Sequence, residues 1–117
     1  MLTSGVYQPY PSSHDARPST VSFRLPLDGP VTVAWGGPTF RTNYHVGSPA
    51  ERWAYDLLVT SDGRSHRGAP GTPANYLSYG RDVRAPADGR VVALHDGDPD
   101  ATPGRPDRGR RAGNHVV

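Results

Sequence analysis

His45 and Asp56 stand eleven positions apart in "NYHVGSPAERWAYDLLV", residues 43–59. The histidine falls in a polar turn, and the aspartate interrupts a run that otherwise reads as a buried strand. An ionised carboxylate in such a run is costly unless a cation or hydrogen-bond donors hold it. A divalent metal is one way to hold it. Zinc takes imidazole nitrogen and carboxylate oxygen at about 2.0–2.2 Å, and a catalytic site typically adds a third protein ligand and a water. A turn histidine and an aspartate on the next strand can meet on one ion, because a strand advances about 3.3 Å per residue and the turn folds back. A solvated histidine beside a hydrogen-bonded aspartate fits the same spacing, which does not choose between them.

The remaining chemistry-bearing residues give weaker signals. His66 lies in a Gly/Arg-rich loop and reads as solvated. His95 ends a β run beside "DGDPD", whose carboxylates lack the spacing and closing Glu of an EF-hand loop. His115, in "GNHVV", reads as a solvent-facing strand position, and His14 carries no signal. The Arg run "GRPDRGRR", 104–111, has no interleaved aromatics and no DNA-binding motif around it, so a solvated loop is expected and no nucleic-acid partner. Should the chain act on an anionic polymer, this loop is placed to rim the groove.

Composition narrows the classes. With 117 residues the chain has room for one small domain. Its 14 Gly and 13 Pro approach the share at which disorder competes, yet they fall between short β-type runs as turns do. There is no cysteine, so disulfides and thiolate metal sites are excluded. All 13 basic residues are Arg, which removes any lysine chemistry, including a lysine-borne cofactor. No stretch approaches the roughly 18 apolar residues of a membrane span. The N-terminus shows no positive region followed by an apolar core, so localisation stays open.

Several elements must position the residues above. Residues 1–20, rich in Ser and Pro, read as a flexible leader, and 21–117 as the folding part. "TVSFRL", 20–25, and "VTVAW", 31–35, predict two strands paired through the "PLDGP" turn. "SPAE", 48–51, predicts at most one helical turn, with Ser48 as N-cap and Glu51 closing the box. "AYDLLV", 54–59, predicts a strand buried on both faces. "RDVRAPADGRVVAL", 81–94, predicts two β runs about Asp88-Gly89, a favoured hairpin dipeptide. "NHVV" begins a further strand with no turn or cap after it, so the domain reads as cut at the C-terminus. The expected fold class is mainly β, antiparallel, with long loops.

"WGGPTFRTNYHV", "RWAYDLLV", "YGRDVRAPADGRVVAL" and "AGNHVV", in that order, resemble the lysostaphin-type (LytM-like) zinc metallopeptidases that cleave peptidoglycan. The resemblance spans about residues 22–117 and implies the N-terminal half of a two-layered, curved antiparallel sheet of the duplicated hybrid motif type. It implies Zn²⁺ as cofactor, with His45 and Asp56 as metal ligands and Asn43 and Tyr44 orienting or packing beside His45. The implied partner is peptidoglycan peptide, and an extracellular or envelope location follows from that substrate. In such enzymes a third ligand and the catalytic histidines come from an "H-x-H" segment and a histidine just before it, beyond "GNHVV". A partial metallopeptidase domain over 21–117, inactive by itself, is therefore expected. A non-catalytic wall-binding or regulatory relative of the same fold is the alternative.

The "VRAPADGRV" hairpin also resembles the entry of biotinyl and lipoyl carriers, but those need a lysine that this chain lacks. The fit to a sugar-phosphotransferase domain of related fold is poor at the His45 and Asp56 flanks.

Overall fold

Regular structure in this chain is short, antiparallel and β, held between long loops. A computed structural model describes residues 18–105 and 112–117. Of the expected leader, residues 1–17 lie outside the described residues, as do positions 106–111 of the Arg run. Among the described residues four strands occur: β1 (Thr32–Trp35), β2 (Asp56–Leu58), β3 (Leu94–His95) and β4 (His115–Val116). They form two separate two-stranded antiparallel sheets, β1 with β2 and β3 with β4. Two 3₁₀ turns, Tyr44–Gly47 and Pro73–Asn75, complete the regular elements, and no helix among the described residues is long and apolar enough to cross a membrane. The chain groups into two compact units, one built on Pro30–Leu58 and the other on Phe23–Gly29 with Val59–Val117.

In the first unit, β1 pairs with β2 rather than with residues 20–25, so the expected hairpin through "PLDGP" does not form. The register runs Thr32 opposite Leu58 and Val33 opposite Leu57, then slips at a bulge that brings Trp35 opposite Asp56. Without that extra residue Trp35 would face Tyr55. Bulges re-aim a side chain in this way. The first unit is centred on Val46, 1 % exposed, and Asn43, 0 % exposed. Gly36, just past β1, is required by close packing: a Cβ there would overlap the Tyr55 ring and lie 2.9 Å from Val33 Cγ1.

The turn at residues 43–54 differs from its expected form. Asn43, not Ser48, is the N-cap: its backbone is extended and its side chain accepts the His45 N–H. Ser48 instead closes the 3₁₀ turn, with its N–H on the His45 carbonyl. The "SPAE" segment follows as turns, held by Glu51 N–H to Ser48 O at 3.0 Å and Ala54 N–H to Glu51 O at 2.8 Å. The strand expected at 54–59 shortens to three half-buried residues, because β2 has one partner strand and its outer edge is not covered by another.

Neither the strand expected at 20–25 nor the run expected at 81–85 forms, although within the second unit parts of them run antiparallel. Arg24 N–H donates to Pro86 O and Arg84 N–H to Pro26 O, each at 2.8 Å. Both acceptor residues are proline, which has no N–H to return, so the ladder stops at these two bonds. Side chains strengthen the junction: Arg24 and Arg84 both reach Asp28, at 2.9 and 2.7 Å. Asp88-Gly89 does not close a hairpin. Asp62-Gly63 does, between the reciprocal bonds Ser61 N–H to Arg64 O and Arg64 N–H to Ser61 O, with φ of 50° and 72°. Positive φ at both central residues is what a type I′ turn needs. Beside β3, the backbone of Val92 and Ala93 also bonds Val117, extending the pairing past β4.

Candidate site at His45 and Asp56

Two elements of the first unit bring the pair together. His45 is the second residue of the 3₁₀ turn, and Asp56 opens β2. His45 Nε2 lies 3.0 Å from Asp56 Oδ1. The histidine side chain is 11 % exposed and the aspartate 39 %, so the carboxylate looks onto solvent while the ring is mostly enclosed. The cost of holding Asp56 is thus lower than a strand buried on both faces would impose. Its hydrogen-bond partner is the imidazole, and the Tyr44 hydroxyl stands close enough to feel its charge.

Asn43 organises the loop beneath His45. Its Oδ1 accepts the His45 backbone N–H at 3.1 Å, while Nδ2 donates to Gly37 O at 3.1 Å and faces Ala54 O at 3.3 Å and Arg52 O at 3.4 Å. One buried amide therefore ties the approach from β1, the 3₁₀ turn and the approach to β2 to each other. It orients His45 through the backbone and makes no bond to the ring. Tyr44 acts on the ring itself: the two ring centroids are 4.1 Å apart at 37°. Trp35, placed by the bulge, packs edge-on against Tyr44 at 5.1 Å and 80°. Partial desolvation raises the Tyr44 pKa above the ordinary 10.0, with further contributions from the charges of Asp56 and Glu51 and a hydrogen bond to Asp56. The phenol is accordingly a donor, not an anion, at neutral pH.

The imidazole has one unanswered demand. Nδ1 is buried without a hydrogen-bond partner. A carboxylate only accepts, so beside ionised Asp56 the Nε2 position carries the proton and Nδ1 keeps a lone pair that meets no donor. An unsatisfied buried group of this kind costs about 1–3 kcal/mol. Other candidates are not at this site. His66 bridges to Tyr76 across an isolated β pairing, its ring 5.1 Å from the tyrosine ring. His95 and His115 face each other across β3 and β4. Among the described residues no group of three or more His, Cys, Asp or Glu is placed to hold an ion.

Chemically, the pair offers one nitrogen and one oxygen donor at hydrogen-bond distance, with an open approach from the Asp56 side. Trp35 was missed by sequence reasoning because a bulge leaves no compositional mark. Asn43 carried a usable signal, an Asn directly before the turn, in competition with Ser48. No family model, curated protein or solved structure matches this chain.

Proposed function

We propose that this chain is part of a zinc metalloendopeptidase domain of the peptidoglycan-hydrolase type, with His45 and Asp56 as two of the metal's ligands. The supporting observation is the 3.0 Å approach of Nε2 and Oδ1. Two donors on one tetrahedral ion at about 2.1 Å stand about 3.4 Å apart. The pair would open by a few tenths of an ångström to admit zinc, and the half-exposed Asp56 leaves a way in. The donor set fits as half of a site. Two protein ligands give weak affinity, and the family's acid–base histidines have no matched positions in these 117 residues.

Bound zinc would supply an acidified water and polarise a scissile carbonyl. The chain's own contributions are holding and orienting. Asn43 fixes the backbone at His45, Tyr44 packs on the imidazole, and Trp35 backs Tyr44. The complete domain is proposed as the two-layered curved antiparallel sheet of the duplicated hybrid motif type. Its partner is a peptidoglycan peptide, which places it outside the cytoplasm or in the envelope. One observation favours the alternative of a non-catalytic wall-binding relative: the described residues supply no third ligand.

The test is an NMR titration with soluble cross-linked peptidoglycan peptides in the presence of Zn²⁺, followed by mass spectrometry of the peptides. The proposal expects shifts concentrated at Trp35, Tyr44, His45 and Asp56 that vanish in His45→Ala and Asp56→Ala, with no cleavage by this chain alone. Shifts elsewhere, or shifts unchanged in both variants, would overturn it.

A further inference from the structure

The proposed peptidase reading draws on the first unit, and the second carries an apolar surface that this reading leaves unused. Val83, Val91, Leu94, Val116 and Val117 are 62–78 % exposed. All five line one open groove of about 780 Å³, walled by parts of 83–91 and by β3 and β4, wholly within the second unit. Large apolar side chains gathered on one face and left in water mark an interaction surface or an aggregation liability.

The charges around this groove say what fits it. Arg84 lines it, but its guanidinium is held by Asp28 at 2.7 Å. Arg90 and Asp96 also line it, are exposed, and have no ion-pair partner among the described residues. Arg90 lies three positions before Ala93 and Asp96 three after. Ala93 itself is fixed against the neighbouring chain: its N–H donates to Val117 O at 3.2 Å and its carbonyl accepts Val117 N–H at 2.9 Å. Residues 90–96 are thus positive at one end, apolar in the middle and negative at the other. Such a run is complementary to its own reverse. A two-fold axis near Ala93 sets Arg90 of each copy against Asp96 of the other and the apolar middles against each other. An unrelated partner would require no such balance about a midpoint.

We propose that this face is a homodimer interface, with two copies of the chain packed groove to groove about a two-fold axis near Ala93. The area suffices. Five Val and Leu side chains exposed to this degree present on the order of 100 Å² each, so roughly 500 Å² per copy and about 1,000 Å² for the pair. That is where specific interfaces begin, so the dimer is a weak one. The apolar contact supplies most of the affinity, and the two rim ion pairs set the orientation and reject wrong partners. Because the same patch is used on both copies, assembly closes at two.

Sedimentation equilibrium of the full chain from micromolar to millimolar concentration tests this. A monomer–dimer equilibrium is expected within that range, and Leu94→Lys should weaken it at least tenfold. Arg90→Asp and Asp96→Arg should each weaken it about tenfold by placing like charges together. Mixed in equal amounts, these two variants should recover the wild-type affinity, since one copy then brings two negative ends and the other two positive ends. All three positions are exposed, so the fold is retained in each variant. A monomer at millimolar concentration, growth beyond the dimer, association unchanged in Leu94→Lys, or no recovery on mixing would overturn the assignment. None of the variants alters His45 or Asp56, so none of these outcomes bears on zinc at that pair.

Discussion

Replacing Asn43 should remove more stability than any other single polar substitution in the first unit. Asn43 is 0 % exposed and is shared by four backbone groups. In Asn43→Ala the His45 N–H and the Gly37 carbonyl lose partners at 3.1 Å, the Ala54 and Arg52 carbonyls lose weaker ones, and a cavity remains. Each buried group left unsatisfied costs about 1–3 kcal/mol. With the weaker contacts discounted, a total of about 3–5 kcal/mol is expected, near the upper end for point substitutions. Few residues in this unit are buried, so that loss is enough to unfold it. Asn43→Asp separates the contributions: it keeps an oxygen for the His45 N–H but turns a second oxygen toward three carbonyls. It should be at least as damaging as alanine near neutral pH, because burying that charge is unfavourable. Asn43→Ser retains a capping oxygen on a shorter arm and should fall between wild type and alanine. Urea unfolding, with hydrogen exchange at the His45 amide, measures both effects. Wild-type stability in Asn43→Asp, or a loss under about 0.5 kcal/mol in Asn43→Ala, would refute the proposed role of this amide.

Gly36→Ala should destabilise by about 1–3 kcal/mol through overpacking against Tyr55 and Val33, read as a lowered urea midpoint. Gly63→Ala should cost about 1–2 kcal/mol because its φ of 72° belongs to a left-handed turn, whereas Gly89→Ala, where φ is not positive, should cost little. Asp28 is held below its ordinary 3.8, chiefly by its hydrogen bond to Arg84. A lowered folded-state pKa gives stability that is full above 3.8 and lost as pH falls through the folded value. The contribution is small, since both partners are exposed; acid titration of unfolding should show it in wild type and not in Arg84→Ala.

Which parts of the fold could be read from sequence follows from where the determining forces act. "VTVAW" and "GNHVV" were legible as strands because their apolar, β-branched runs are local. Their partners were not, because pairing is a long-range choice: β1 passes over residues 20–25 to pair with β2, some twenty residues on. Residues 20–25 and 81–85 have strand-like patterns, and it is the adjoining Pro26 and Pro86 that cut their ladder to two bonds. Of the four Asp-Gly dipeptides, Asp88-Gly89 was read as the hairpin, and it is Asp62-Gly63 that has the reciprocal flanking backbone bonds to close one. At the site, it was the family resemblance that paired His45 with Asp56, which their spacing alone left open, and the turn that unites them depended on the buried Asn43. Trp35 reaches the site only through a one-residue slip in register, which no composition encodes.

Whether His45 and Asp56 share one ion is decided by a site-resolved zinc titration. Carbon-13 shifts of the Asp56 carboxyl and the His45 ring are to be followed as Zn²⁺ is added to the protein. Both signals should move together and saturate at one concentration, and His45→Ala should abolish the response at Asp56. Movement of one signal without the other, or of neither up to millimolar zinc, would contradict the claim and leave an ordinary histidine–aspartate hydrogen bond.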